Sequence, residues 1–469
     1  MKEKTGSRRQ FLKNSGIVGL GFFGLYQLDA HLFRSWSSEN LNEGFGPLAT
    51  DSARLINLPK GFSYQVISKK GDRMDDGLIV PGRADGMGTF AGSKGKTIII
   101  RNHENSANTP EEGAFGPNNK LLSKVDADSL YDAGKGRLPE LGGTTTIVYD
   151  HINGKVVKQF LSLGGTARNC AGGVTPWKSW LSCEESTHMP GGDSTSEKEH
   201  GYVFEVPATD KAGLGKAIPI KHMGRMNHEA VAVDPQTSIV YLTEDRPDGL
   251  FYRYVPDKQR NLLQGGKLQA LVVKDHKSMD TRNWESLNTI RFPVRTLFDV
   301  EWIDIDQVDS PLDNLREQGF SNGAARFARG EGIWFGKGEL YFACTNGGKL
   351  TLGQVFRYIP GKQEGSVDEK RSPGKLELFI EPNDHHIVKS CDNLTVSPWG
   401  DLILCEDNPH PFIVGVTPEG KFYKFAENIG YPSEFAGGVF SPTGETFFVN
   451  IQEPGITIAI KGPWKKRLI

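Results

Sequence analysis

The sequence predicts an all-β fold, a six-bladed β-propeller with long loop insertions, and three observations carry that expectation. One strand–turn–strand unit recurs six times along the chain; glycine supplies 56 of 469 residues, above the ordinary ~7%; and aromatic residues reach 10%. Units of this kind cannot bury their apolar faces alone and stack around an axis. The glycine has no collagen period, and turn-rich, aromatic-rich composition argues against a helical bundle.

The copies run ADGMGTFAGSKGKTIIIRNHEN from Ala84, CAGGVTPWKSWLSCEES from Cys170, HEAVAVDPQTSIVYLTEDRPDG from His228, EGIWFGKGELYFACTNGG from Glu331, DNLTVSPWGDLILCEDN from Asp392 and AGGVFSPTGETFFVNIQEPG from Ala436. Each reads as a strand, a tight Pro/Gly turn such as Ser397–Gly400, and a second strand. Aromatic third strands follow several copies, as in GYVFEVPA, GLFYRYVP and GQVFRYIP. The uneven intervals place insertions at 105–139 and 257–327, the latter with a short helix, positioned to roof one end of the channel.

Residues 45–469 therefore form a single propeller domain, preceded by a 1–35 signal segment. Ser7, Arg8, Arg9, Gln10, Phe11, Leu12 and Lys13 lead into an apolar run from Ile17 to Leu25, which fits a twin-arginine export signal. The export machinery is thus an expected partner, the destination periplasmic or extracellular, and the segment a membrane anchor if retained. Lys plus Arg number 55 against 57 acids, a net charge of −2, so nucleic acid is not an expected partner.

In a propeller the first strand of each unit lines the axis. Taking Met87, Val174, Val231, Ile333, Leu394 and Val439 as reference positions, the residues two earlier are Asp85, Gly172, Glu229, Glu331, Asp392 and Gly437. Four earlier stand Arg83, Cys170, Asn227, Arg329, Ser390 and Phe435, on the same side of the strand. The second strands end in further acids, among them Glu104, Glu184, Glu185, Glu244, Asp245, Glu406 and Asp407. Crowded carboxylates repel unless cations sit among them; hard oxygen ligands in this number suit Ca²⁺, Mg²⁺ or iron, and the one thiolate points to a transition metal in the group. Cys170, Glu185, Glu229, Glu244, Glu331, Asp392 and Glu406 are the expected metal ligands. Cys183, Cys344 and Cys405 share one slot and read as small buried hydrophobes, whereas Cys391 is ambiguous.

The motifs SRRQFLK, RNHEN, RNCAGGVTPWKSWLSCEES, GRMNHEAVAVDP, YLTEDRPDG, RGEGIWF and DNLTVSPWGDLILCEDN resemble those of the PhoX family of alkaline phosphatases. The resemblance implies an exported six-bladed propeller that hydrolyses phosphate esters with iron (Fe³⁺) and calcium (Ca²⁺). It also implies that Cys170 and Glu331 ligate iron, and that Arg329 binds substrate phosphate. Glu229, Glu244 and Glu406 stand in motifs similar to the family's metal-binding ones. A calcium-dependent propeller lactonase or esterase, and a non-enzymatic propeller binding module, are the alternatives.

Overall fold

The computed structural model describes residues 44–191, 196–287 and 289–466. The Arg8–Arg9 pair of the expected export signal lies outside them. The fold is all-β and propeller-like, with Leu315–Ser321 as the one α-helix among the described residues. That helix falls in the second insertion, where the sequence suggested one.

The strands form five hydrogen-bonded sheets. One joins Ala84–Ala91, Thr97–His103, Gly142–Asp150 and Lys155–Thr166 in order. Another joins Asn169–Val174, Ser179–Glu184 and Val203–Pro207. Cys391–Val396 opens a six-stranded sheet that collects Ile56–Pro59 and Leu48–Ala49 from early in the chain. Ser63–Lys69 pairs with Ile456–Lys461, so chain start and chain end close one sheet together.

The fifth sheet differs from the sequence expectation. His228–Val233 and Gly330–Gly336 each begin a four-strand run, but Leu297–Asp304 pairs with both Gly266–Val273 and Lys375–Ile380 and fuses the two runs into nine strands. The second insertion is therefore partly β-structure rather than a loop roof. Its segment GKLQALVV buries Leu268, Ala270, Leu271, Val272 and Val273, enough apolar surface to hold a strand against its neighbours.

Stacked aromatics fill the space between the two four-strand runs of this sheet. The Phe251 and Phe342 rings lie parallel with centroids 4.3 Å apart, and Phe356 continues the stack at 5.2 Å. Cys183, Cys344 and Cys405 are buried in separate apolar clusters, as their shared slot implied. Cys391 is buried in a fourth.

The first strands of the six copies lie each against the next, from Ala84–Ala91 through Asn169–Val174, His228–Val233, Gly330–Gly336, Cys391–Val396 and Phe435–Phe440 back to the first. Their approach is close. A Cβ on Gly173 would stand 2.0 Å from the Val231 carbonyl oxygen, so only glycine fits there.

Each of these strands carries a register irregularity at the same place, between Ala84 and Met87, Asn169 and Gly172, His228 and Val231, Gly330 and Ile333, Cys391 and Leu394, and Ala436 and Val439. Such bulges re-aim side chains. They also correct the sequence alignment of the second copy: Gly172, not Val174, is the equivalent of Met87. Cys170 consequently shares its slot with Asp85, Glu229, Glu331 and Asp392, and not with Arg329.

Candidate metal centre and active site

The bulge residues meet. One ligand atom from each of Cys170, Glu185 and Glu229 lies within 4.8 Å of the other two, and the same holds for Glu229, Glu331 and Asp392. Glu229 belongs to both groups and joins a thiol-containing site to an all-oxygen one. Glu331 Oε1 accepts a 2.7 Å hydrogen bond from Thr345. Asp85 completes the slot, with one oxygen accepting from Gln452 at 3.0 Å and the other buried without a partner.

The acids of the cluster oppose one another's ionisation. Burial first, and neighbouring carboxylates after it, raise Asp85, Glu185, Glu229, Glu331, Asp392 and Glu434 well above the ordinary carboxylate range. Arg168 opposes this at Glu185, and Arg329 does so at Glu331 and Asp392. The Cys170 thiol is likewise pushed up by burial and then by Glu229, Glu185 and Asp85. Only added positive charge lets this set ionise together.

Three arginines surround the cluster. Arg83, Arg168 and Arg329 each stand two residues before a bulge residue, and all adopt left-handed backbone, with φ of 46°, 49° and 50°. Such φ values cost a non-glycine residue about 1–2 kcal/mol, strain of the kind concentrated at functional sites. Arg329 holds Asp245 through Nε at 2.7 Å and Nη2 at 2.8 Å. Its Nη2 is also 2.9 Å from Glu331 Oε1. Arg168 binds Glu104 through Nε at 3.1 Å and Nη2 at 2.6 Å, and Arg83 reaches the other Glu104 oxygen at 2.9 Å. The contact with Asp245, against burial, raises the already high pKa of Arg329.

Arg168 was missed by sequence reasoning, although its signal is present. Arg83-Ala84-Asp85, Arg168-Asn169-Cys170 and Arg329-Gly330-Glu331 share the pattern arginine, any residue, acid or thiol of the bulge slot.

Glu244 and Glu406, expected among the ligands, are not brought to the cluster. Glu244 Oε2 accepts from the Leu250 N–H at 3.3 Å and the Tyr252 hydroxyl at 2.9 Å. Glu406 accepts from the N–H groups of Lys389 at 2.8 Å and Phe412 at 2.9 Å. Glu184 does the same for Ala167 and Gly201, both at 2.8 Å. The first acid of each CEE, TED or CED motif thus ties neighbouring strands together. The second acid engages the site where Glu185 and Asp245 meet Arg168 and Arg329. His103 and His228, beside the acids in sequence, hydrogen-bond the Gly82 and Gly224 carbonyl oxygens at 2.8 and 2.9 Å and are not in either ligand group.

The sequence profile of one family, alkaline phosphatase PhoX, matches residues 43–455. The chain belongs to the PhoX alkaline phosphatase family. PhoX membership makes it a phosphoric monoester hydrolase and decides against the lactonase and binding-module alternatives. Among solved structures, Pseudomonas fluorescens PhoX in complex with vanadate, a transition state analogue, is similar over 90% of this chain and 98% of its own, with a TM-score of 0.64 and 19% identity. At that identity the likeness is one of fold. A protein of unknown function from Bacteroides thetaiotaomicron matches at a TM-score of 0.42 and 9% identity, covering 85% of this chain and 76% of its own. The Cps50 (Swd1) β-propeller domain of Myceliophteria thermophila matches at 0.40 and 10%, covering 86% and 100%. Curated proteins yield no match.

Proposed function

We propose that this PhoX-family phosphatase is an exported, six-bladed propeller that hydrolyses small phosphate monoesters with iron and calcium held at the channel mouth. The observation that carries the metal reading is Cys170, a buried thiol sharing one bulge slot and one ligand group with carboxylates that burial drives toward neutrality. The six-blade count is supported by the six neighbouring first strands and their equivalent bulges. Each fused or extended sheet is then one or two blades with added strands.

The residues fit the ions. Cys170, Glu185 and Glu229 would hold iron, for which a thiolate is a suitable ligand; Glu331, an iron ligand by the family resemblance, groups instead with Glu229 and Asp392, an all-oxygen set that would hold calcium. When bound, such ions polarise phosphoryl oxygens and stabilise the charge that develops on them. The protein's own part is positioning and charge. Arg329 and Arg168 are each anchored by acids through Nε and Nη2, which leaves Nη1 of each guanidinium as the remaining donor for a phosphate oxygen. Asp245 and Glu104 hold those groups in place before substrate arrives, so little ordering is left for the reaction itself. The left-handed backbone at both arginines fixes their approach further.

The test is p-nitrophenyl phosphate turnover with iron and calcium quantified per chain, for wild type and Cys170→Ala. Wild type should contain both elements, and Cys170→Ala should lose iron and activity together. Active wild-type protein containing calcium alone, or full activity in Cys170→Ala, would refute the metal assignment.

A further inference from the structure

A second cluster lies outside the channel group, in residues to which the phosphatase reading gives no role. The His188 and His200 rings stack with centroids 4.3 Å apart and planes 22° from parallel. One ligand atom of each, together with one of Glu140, falls within a common 4.8 Å. The two rings are tied at the same end. His200 Nδ1 is 2.7 Å from Glu184 Oε1, and His188 Nδ1 is 3.1 Å from Ser186 Oγ.

That arrangement turns both Nε2 atoms toward acids. His188 Nε2 is 3.3 Å from Glu140 Oε1, and His200 Nε2 is 3.4 Å from Asp132 Oδ2. Ser196 Oγ sits at the meeting point, 2.5 Å from His188 Nε2 and 3.2 Å from Glu140 Oε1. Between two carboxylate oxygens, which only accept, His200 donates from both ring nitrogens, so an ion that takes Nε2 displaces its proton and leaves Nδ1–H on the carboxylate, the usual outer-shell arrangement of a metal-bound histidine. His200 and Asp132 have fully buried side chains and His188 is one-third exposed, which leaves an entry side.

We propose that Glu140, His188 and His200, with Asp132 beside them, bind one divalent transition-metal ion of the zinc class. Two imidazole nitrogens among carboxylates suit zinc, whereas calcium and magnesium prefer oxygen alone. The ion would clip the first insertion, which carries Asp132 and ends beside Glu140, to the segment carrying His188 and His200. Glu184 would be its outer-shell support, linking the clip to the neighbouring Glu185 of the channel group.

The experiment adds Zn²⁺ to purified full-length protein carrying its channel metals and counts bound zinc after dialysis. His188→Ala is compared because that side chain is partly exposed, and circular dichroism checks its fold. Wild type should take up one equivalent more than His188→Ala, whose affinity should fall by about 100-fold or more, beyond the range for losing an outer-shell partner alone. Cys170→Ala should keep that equivalent, which separates this site from the channel and from the outcome of the phosphatase test. Wild type loaded with Co²⁺ should show a tetrahedral d–d spectrum, a readout that does not depend on any variant folding. No zinc uptake by wild type, equal uptake in His188→Ala, loss of the equivalent in Cys170→Ala only, or no tetrahedral cobalt spectrum would each overturn the proposal.

Discussion

Arg329→Ala removes one guanidinium and affects three partners. Asp245 loses its two-pronged contact at 2.7 and 2.8 Å, Glu331 loses a contact at 2.9 Å, and substrate phosphate loses the remaining donor edge. Because Nε and Nη2 are committed to Asp245, a phosphate oxygen gains one charge-assisted hydrogen bond rather than a full fork. Such a bond contributes about 1.5–3 kcal/mol, which corresponds to about a 10- to 150-fold fall in kcat/KM. Bound metal should be retained, since Arg329 is not in either ligand group. Arg329→Lys should recover part of the loss, keeping the charge without the planar anchor on Asp245. Asp245→Asn tests the anchor itself: kcat/KM should fall while the positive charge remains. The assay is p-nitrophenyl phosphate turnover at several substrate concentrations, with metal content measured on the same samples. An Arg329→Ala enzyme within about threefold of wild type, a difference under ~1 kcal/mol, would remove this arginine from substrate binding.

Gly173→Ala should destabilise the fold by at least about 1–3 kcal/mol, because the new Cβ would meet the Val231 carbonyl oxygen at 2.0 Å; an unchanged urea midpoint would contradict the close strand approach. Burial, partly opposed by Arg316, pushes the Glu244 carboxyl up to about 7. A raised folded-state pKa means the native state binds the extra proton, so this group's contribution is fully present below pH 4.5 and lost as pH rises through about 7. Urea unfolding across that window should show the decline in wild type and a flatter profile in Glu244→Gln, and identical slopes would dismiss the effect. Lysine at both Arg8 and Arg9 should hold the protein in the cytoplasm, as cell fractionation would show; continued export would exclude the twin-arginine route.

How much was legible in the sequence follows from what kind of information each feature needs. Repeated strands and turns are local, so the all-β class, the candidate acids and the cysteine slot of 183, 344 and 405 could be read from spacing alone. The family motifs carried Cys170, Glu331 and Arg329 and marked Glu229, Glu244 and Glu406 as metal-binding acids, whereas Asp392 came from the repeat register. A β-bulge is different: it shifts the side-chain period by one residue without a sequence mark that alternation can detect. Cys170 aligned with Arg329 in the linear reading for another reason: glycine fills the second copy's reference position, so Val174, two residues on, was its first apolar residue, whereas the folded register places Cys170 with the acids and puts Arg168 in the arginine slot.

The same limit governs the paired acids. In Glu184-Glu185, Glu244-Asp245 and Glu406-Asp407 both residues are charged, and nothing local says which is structural. The backbone N–H groups of Gly201, Leu250 and Phe412 decide it by taking the first acid of each pair; their positions exist only once the next strand has docked. The sequence by itself determined that this chain is built from β repeats rich in convergent acids with one thiol among them. Only the tertiary structure decided which side chains converge, because convergence depends on bulge register and on contacts between strands far apart in the chain.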